Sequence, residues 1–104
     1  HQIIGLLYGS DINREKFINK KESIVITKKN KLLTGINNNV LFREEHSEYI
    51  NLPKQFNLLA TSNSCNNEAM KHKQKNIYGV QFHPEVSDKN GLFIFRNFLE
   101  LCKI

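Results

Sequence analysis

Apolar positions in this chain fall into short clusters separated by polar stretches rich in lysine and asparagine, and the spacing within the clusters changes along the sequence. Ile3, Ile4, Leu6 and Leu7 recur at helical spacing, so Gln2 to Tyr8 is predicted to be helical and Gly9-Ser10-Asp11 to end it. The β-branched run Ile24-Val25-Ile26 predicts a strand from Glu22 to Thr27. A further strand is predicted from Phe56 to Thr61, after the turn signal Leu52-Pro53. Two more, Asn67 to Lys73 and Ile77 to Phe82, flank Gln74-Lys75-Asn76 and read as a hairpin. A closing helix is predicted from about Gly91 to Cys102, with Asp88 or Asn90 as its cap. Leu92, Phe95, Leu99 and Cys102 share one face of that helix, with Phe98 beside them, and are expected to pack on the sheet. Taken alone, strands between two helices suit an α+β domain, and no repeat, low-complexity segment or linker divides the chain.

The end of the last predicted strand carries the most specific chemistry. Tyr78-Gly79-Val80-Gln81-Phe82-His83-Pro84-Glu85-Val86 closes an apolar run with a histidine and a carboxylate two residues apart. A histidine titrates near neutral pH and can take a proton from a nucleophile, while a fixed carboxylate sets its tautomer and stabilises the imidazolium. Gly79 permits close backbone approach, and Pro84 stops the ladder where side chains must leave the sheet. A lone strand-end histidine is more often a structural residue than a base.

The run from Glu68 through Val86, followed by Asn97-Phe98-Leu99, resembles the C-terminal half of the class I, triad-type glutamine amidotransferases, and within them the GMP-synthetase type. The resemblance implies a Cys-His-Glu triad in which His83 is the general base and Glu85 orients it. At the other end, His1-Gln2 and the apolar run after it look like the tail of the family's nucleophile elbow, Gly-x-Cys-x-Gly-His-Gln. By that match the nucleophilic cysteine and the oxyanion-hole loop are expected upstream of His1. Residues 1–104 are then the C-terminal half of the domain, expected to be inactive alone. The implied fold is an open α/β fold with a mixed sheet, largely parallel at its centre, and a closing C-terminal helix. Its first strands and helices would precede His1, leaving the stripe on the last helix an incomplete surface to pack on. Lys31 to Gly35 resembles the short turn that family members place before a strand, here Val40 to Glu44. Glu45-His46-Ser47-Glu48-Tyr49 matches a histidine-containing loop that holds the α-amino and carboxylate groups of glutamine. Gln2, Ser47 and Glu48 are accordingly expected near the substrate, and His46 reads equally well as a loop residue bonding backbone groups. Glu45, and Ser87-Asp88-Lys89 after the corner, depart from the GMP-synthetase pattern, and His46-Ser47 resembles the anthranilate-type component.

Composition adds boundaries. A chain of 104 residues with 39% hydrophobic positions is at most one domain, and no apolar run approaches the roughly 20 residues needed to cross a bilayer. The formal charge of +5 comes mainly from lysines in three separated clusters, without interleaved aromatics, and reads as a solvated surface. No nucleic acid and no membrane are expected as partners. Cys65 lies in a polar stretch and is a poor nucleophile candidate; Cys102 is expected in the core. Two cysteines without a signal-like segment suggest a reducing compartment, the cytoplasm. The four histidines show no metal-ligand spacing, and no nucleotide-binding loop occurs. No cofactor is therefore expected here. Glutamine is the expected substrate and an ammonia-accepting synthetase, which would bind ATP and magnesium, the expected partner. The alternatives are an anthranilate or aminodeoxychorismate synthase component, a catalytically dead relative that binds a partner, and, last, a basic nucleic-acid-binding module.

Overall fold

The structure is a computed structural model that describes residues 1–37, 40–83 and 87–102. A short helix α1 (Gln2–Leu7) is followed by strand β1 (Ile12–Ile26), a 3₁₀ turn (Lys31–Leu33), strands β2 (Val40–Ile50), β3 (Phe56–Thr61), β4 (Ala69–His72) and β5 (Tyr78–Val80), and a closing helix α2 (Asp88–Cys102). The strands form one five-stranded sheet in the order β2-β1-β3-β4-β5, and every pairing among the described residues is antiparallel. They represent the antiparallel portion of the sheet expected from the sequence.

Two strands are much longer than their apolar content suggests. β1 begins at Ile12 rather than Glu22, and β2 runs on to Ile50 rather than ending at Glu44. The two pair along most of their length, from Ile12↔Ile50 to Ile24↔Val40, with a bulge between Arg14 and Ile18. Charged cross-strand partners such as Lys20↔Glu44 and Arg14↔Glu48 stand where apolar pairs would have signalled a strand. Glu45-His46-Ser47-Glu48-Tyr49, expected as a loop, is therefore strand.

The sheet is packed on both faces. Consecutive β4 residues point to opposite sides. Ala69 joins Ile24, Leu32, Phe42, Leu59, Phe82 and Ile94 in the larger core, whereas Met70 joins Ile50 and Phe56 in a smaller one beneath Ile4 and Tyr8. Phe42 and Phe82 stack with centroids 4.2 Å apart. Burial of each such side chain is worth about 1.5–3 kcal/mol.

The 3₁₀ turn anchors α2. Asn30 Oδ1 accepts from Leu32 N, burying Leu32 and Leu33, and Asn97 Nδ2 donates to both Leu32 O and Thr34 O at 2.8 Å. Gly35, at φ +83°, lies directly under the Phe93 ring. The inward face of α2 is therefore Gly91, Ile94 and Leu101, and the stripe read from spacing, Leu92, Phe95, Leu99 and Cys102, is exposed. Both stripes are apolar, so periodicity alone could not choose between them; Asn97, which needs the turn's carbonyls, sets the rotation. Cys102 is consequently not a core residue. The helix starts at Asp88, so neither Asp88 nor Asn90 precedes it as a cap.

Candidate active site

From Gly79 onward, alternate residues form a row that gathers distant segments. A strand presents every second side chain to one face. Gly79 receives His1: a Cβ at this position would stand 2.8 Å from His1 Nδ1 and 2.9 Å from Met70 Cε. The close approach that the glycine permits is thus that of the residue preceding α1. The His1 ring is fixed by Nε2, 3.0 Å from Asn67 O, and the carbonyl can only accept, so Nε2 carries the proton. Two residues along, Gln81 is buried; its backbone N–H donates to Glu68 O, and its Nε2 donates to Glu48 O at 2.9 Å.

His83 completes the row. Its backbone N–H donates to Arg43 O at 2.8 Å, and ring Nε2 lies 3.3 Å from Glu45 O, which again makes Nε2 the protonated nitrogen in that contact. Ser87 closes the corner by donating from Oγ to His83 O and accepting from Arg43 N. The histidine is partly exposed, while Phe82 beside it is buried against Phe42. A reactive imidazole is thereby mounted on an immobile strand end.

Among the residues expected at a site, His83 and the backbone of Glu45 to Glu48 are brought together. The Glu48 carboxylate itself lies 3.9 Å from Arg14 Nε, on a largely exposed pair. Gln2 opens α1, next to the His1 that packs on Gly79, and Ser47 sits in β2 opposite the β1 bulge; both are described in backbone only. Glu85 lies outside the described residues. His46 is not a loop residue bonding backbone groups: it is buried, with Nε2 2.8 Å from Oε1 of the fully buried Glu44. Cys65 is buried with Sγ donating to Asn67 O, far from thiolate-stabilising surroundings. Sequence reasoning passed over Gln81, although a polar residue within the apolar run Tyr-Gly-Val-Gln-Phe is the signal that marks it. It also passed over the buried pair of Glu68 with Ser62, Oγ to Oε2 2.5 Å. Among the described residues no three histidine, cysteine or acidic side chains converge as metal ligands, and no helix is long and apolar enough to cross a membrane.

Comparison with known proteins agrees with this geometry. The family profile for glutamine amidotransferase class-I matches residues 1–101. The glutamine-hydrolysing subunit of GMP synthase from Methanococcus aeolicus is 43% identical over 98% of the chain, and that from Pyrococcus furiosus 41% identical over 98%. In both cases the chain spans 56% of the relative. The crystal structure of a candidate GMP synthase subunit from Thermoplasma acidophilum superposes with a TM-score of 0.90 at 34% identity, covering 97% of this chain and 52% of that one. A glutamine amidotransferase structure from Thermotoga maritima, 21% identical, shares the fold with a TM-score of 0.73 over 99% of this chain and 46% of its own. The antiparallel sheet with its closing helix, the strand-end His83 and these matches together place the chain in the class I glutamine amidotransferase family.

Proposed function

We propose that residues 1–104 form the C-terminal half of a glutaminase domain, carrying the general base and part of the glutamine-binding surface, and that the ammonia released serves a GMP-forming synthetase. The observation that carries this reading is the row Gly79, Gln81, His83, which joins a strand-end imidazole to the backbone of Glu45 and Glu48 and to the segment that opens α1. Relatives named as glutamine-hydrolysing GMP synthase subunits support the choice of synthetase.

The chemistry is acyl transfer. A cysteine thiolate supplied by the part of the domain beyond these residues attacks the carboxamide carbon of glutamine. The C–N bond breaks as His83, protonated by that thiol, passes the proton to the departing ammonia. His83 then takes a proton from water, whose oxygen attacks the γ-glutamyl thioester, releasing glutamate and returning the thiol. Glu85 keeps the imidazole in one tautomer throughout, and Gln2, Ser47 and Glu48 hold the amino-acid end of the substrate. ATP and magnesium act on the synthetase. The free thiols Cys65 and Cys102 support a reducing, cytoplasmic setting.

The test is glutaminase assay of the completed domain with and without His83→Ala. Loss of a positioned general base costs roughly 10²–10⁴-fold, so retention of more than about a tenth of the rate overturns the assignment. The 104-residue chain alone should release no ammonia from glutamine, and turnover abolished by Cys65→Ser would overturn the assignment of the nucleophile to another segment.

A further inference from the structure

The last strand of the sheet ends in an open edge flanked by apolar side chains on both faces. β5 closes the strand order, with only β4 beside it. Ile77 O accepts from His72 N and Gln81 N donates to Glu68 O, so by alternation the peptide groups of Tyr78 and Val80 point away from β4. α1 meets this strand on one face, where His1 covers Gly79; α2 meets it on the other, where Phe98 stands edge-on to Tyr78 with centroids 6.3 Å apart.

Both helices carry apolar residues beyond those that pack inward. On α1, Ile3, Leu6 and Leu7 share the outer face at spacings of three and four, with Leu7 78% exposed. On α2 the outer stripe is Leu92, Phe95 and Leu99, with Leu99 64% exposed. An apolar cleft of about 170 Å³ opens where α2 meets β5, between Tyr78, Val80, Ile94, Phe95 and Phe98. A bare strand edge between two apolar helix faces is a surface that proteins cover.

We propose that this surface seats a strand-bearing polypeptide segment, which adds a strand to the outer edge of β5 and packs apolar side chains against the outer faces of α1 and α2 at once. The occupant is the portion of the family domain that the relatives carry beyond the matched length. They extend by close to as much chain again, enough for several strands, and this chain meets 56% of their length with a near-complete match of its own. The Thermoplasma structure makes the same point at 52% of its chain. Strand addition supplies the main-chain bonds and the helix faces supply the apolar contact. A second copy of this chain is disfavoured, because its own β5 edge offers only three residues between protruding helices. The surface owes nothing to the catalytic chemistry, since an inactive relative would need the same cover.

The test mixes the 104-residue chain with the unmatched portion of the Methanococcus aeolicus relative, produced as a separate polypeptide. That relative's own matched portion serves as the positive control. The expected result is a one-to-one complex by native mass spectrometry, with amide exchange slowed at Tyr78 and Val80. Leu7→Lys with Leu99→Lys, both at exposed positions, should weaken association at least about tenfold while far-UV circular dichroism stays unchanged. Absence of a complex while the control assembles, protection elsewhere than β5, or a homodimer that buries the same edge would each overturn the proposal.

Discussion

His72 shows how a single side chain ties a turn to pH. Its Nδ1 accepts from the backbone N–H of Gln74 and of Lys75 at 3.1 and 3.0 Å, which requires an unprotonated nitrogen. The ring is wedged edge-on against Tyr8 and Phe56. Burial, then the charges of Lys75 and Lys71, hold its pKa below the usual histidine value. The unfolded chain therefore takes up a proton near pH 6.5 that the folded chain refuses until a lower pH. The stabilisation is complete above about pH 6.5 and is lost progressively as the pH falls from there through the folded pKa. Urea midpoints measured at pH 7.5, 6.5 and 5.5 should decline with acidity, and more steeply than in His72→Asn. Equal slopes in the two proteins would show that this imidazole is not the group responsible.

At the level of elements, the anchoring of α2 is where the sequence was least legible. The stripe Leu92, Phe95, Leu99 and the inward set Gly91, Ile94, Leu101 have the same period and similar apolar content, and the choice rests on the two carbonyls that Asn97 reaches in the 3₁₀ turn. Asn97→Ala should cost about 1–2 kcal/mol from two lost hydrogen bonds, read as a lower urea midpoint with an unchanged slope; no shift would mean that packing of Ile94 alone orients the helix. The first half of β1 was hidden for a different reason. Its residues 12–21 are mostly polar, and a strand held by charged cross-strand partners leaves no alternation for a sequence pattern to display. β3, by contrast, was legible from end to end, because Phe56, Leu59 and Ala60 are buried and Leu52-Pro53 announces it. The site divides in the same way. The His83 corner was visible as a motif, whereas Gln81 and the Glu44–His46 pair become visible only when partners 33 residues away, or the burial of a charged pair, are known.

For the whole molecule, the contact between His1 and Gly79 joins the first element to the last strand. Gly79→Ala would push the His1 ring and the Met70 methyl aside, breaking the bond to Asn67 O. Overpacking of this kind costs about 1–3 kcal/mol. The expected result is a lower melting temperature together with faster proteolysis confined to residues 1–11; a wild-type cleavage pattern would mean that Ile4 and Tyr8 alone hold α1 in place. The seat of α1 has a further consequence for how the chain is made. Six residues cannot sustain a helix unaided in water, and the strand on which His1 rests leaves the ribosome only after most of the other residues have emerged. α1 must therefore wait, unstructured and with its leucines bare, while the sheet forms from its long hairpin outward, and it is the element that a chaperone would encounter first and release last.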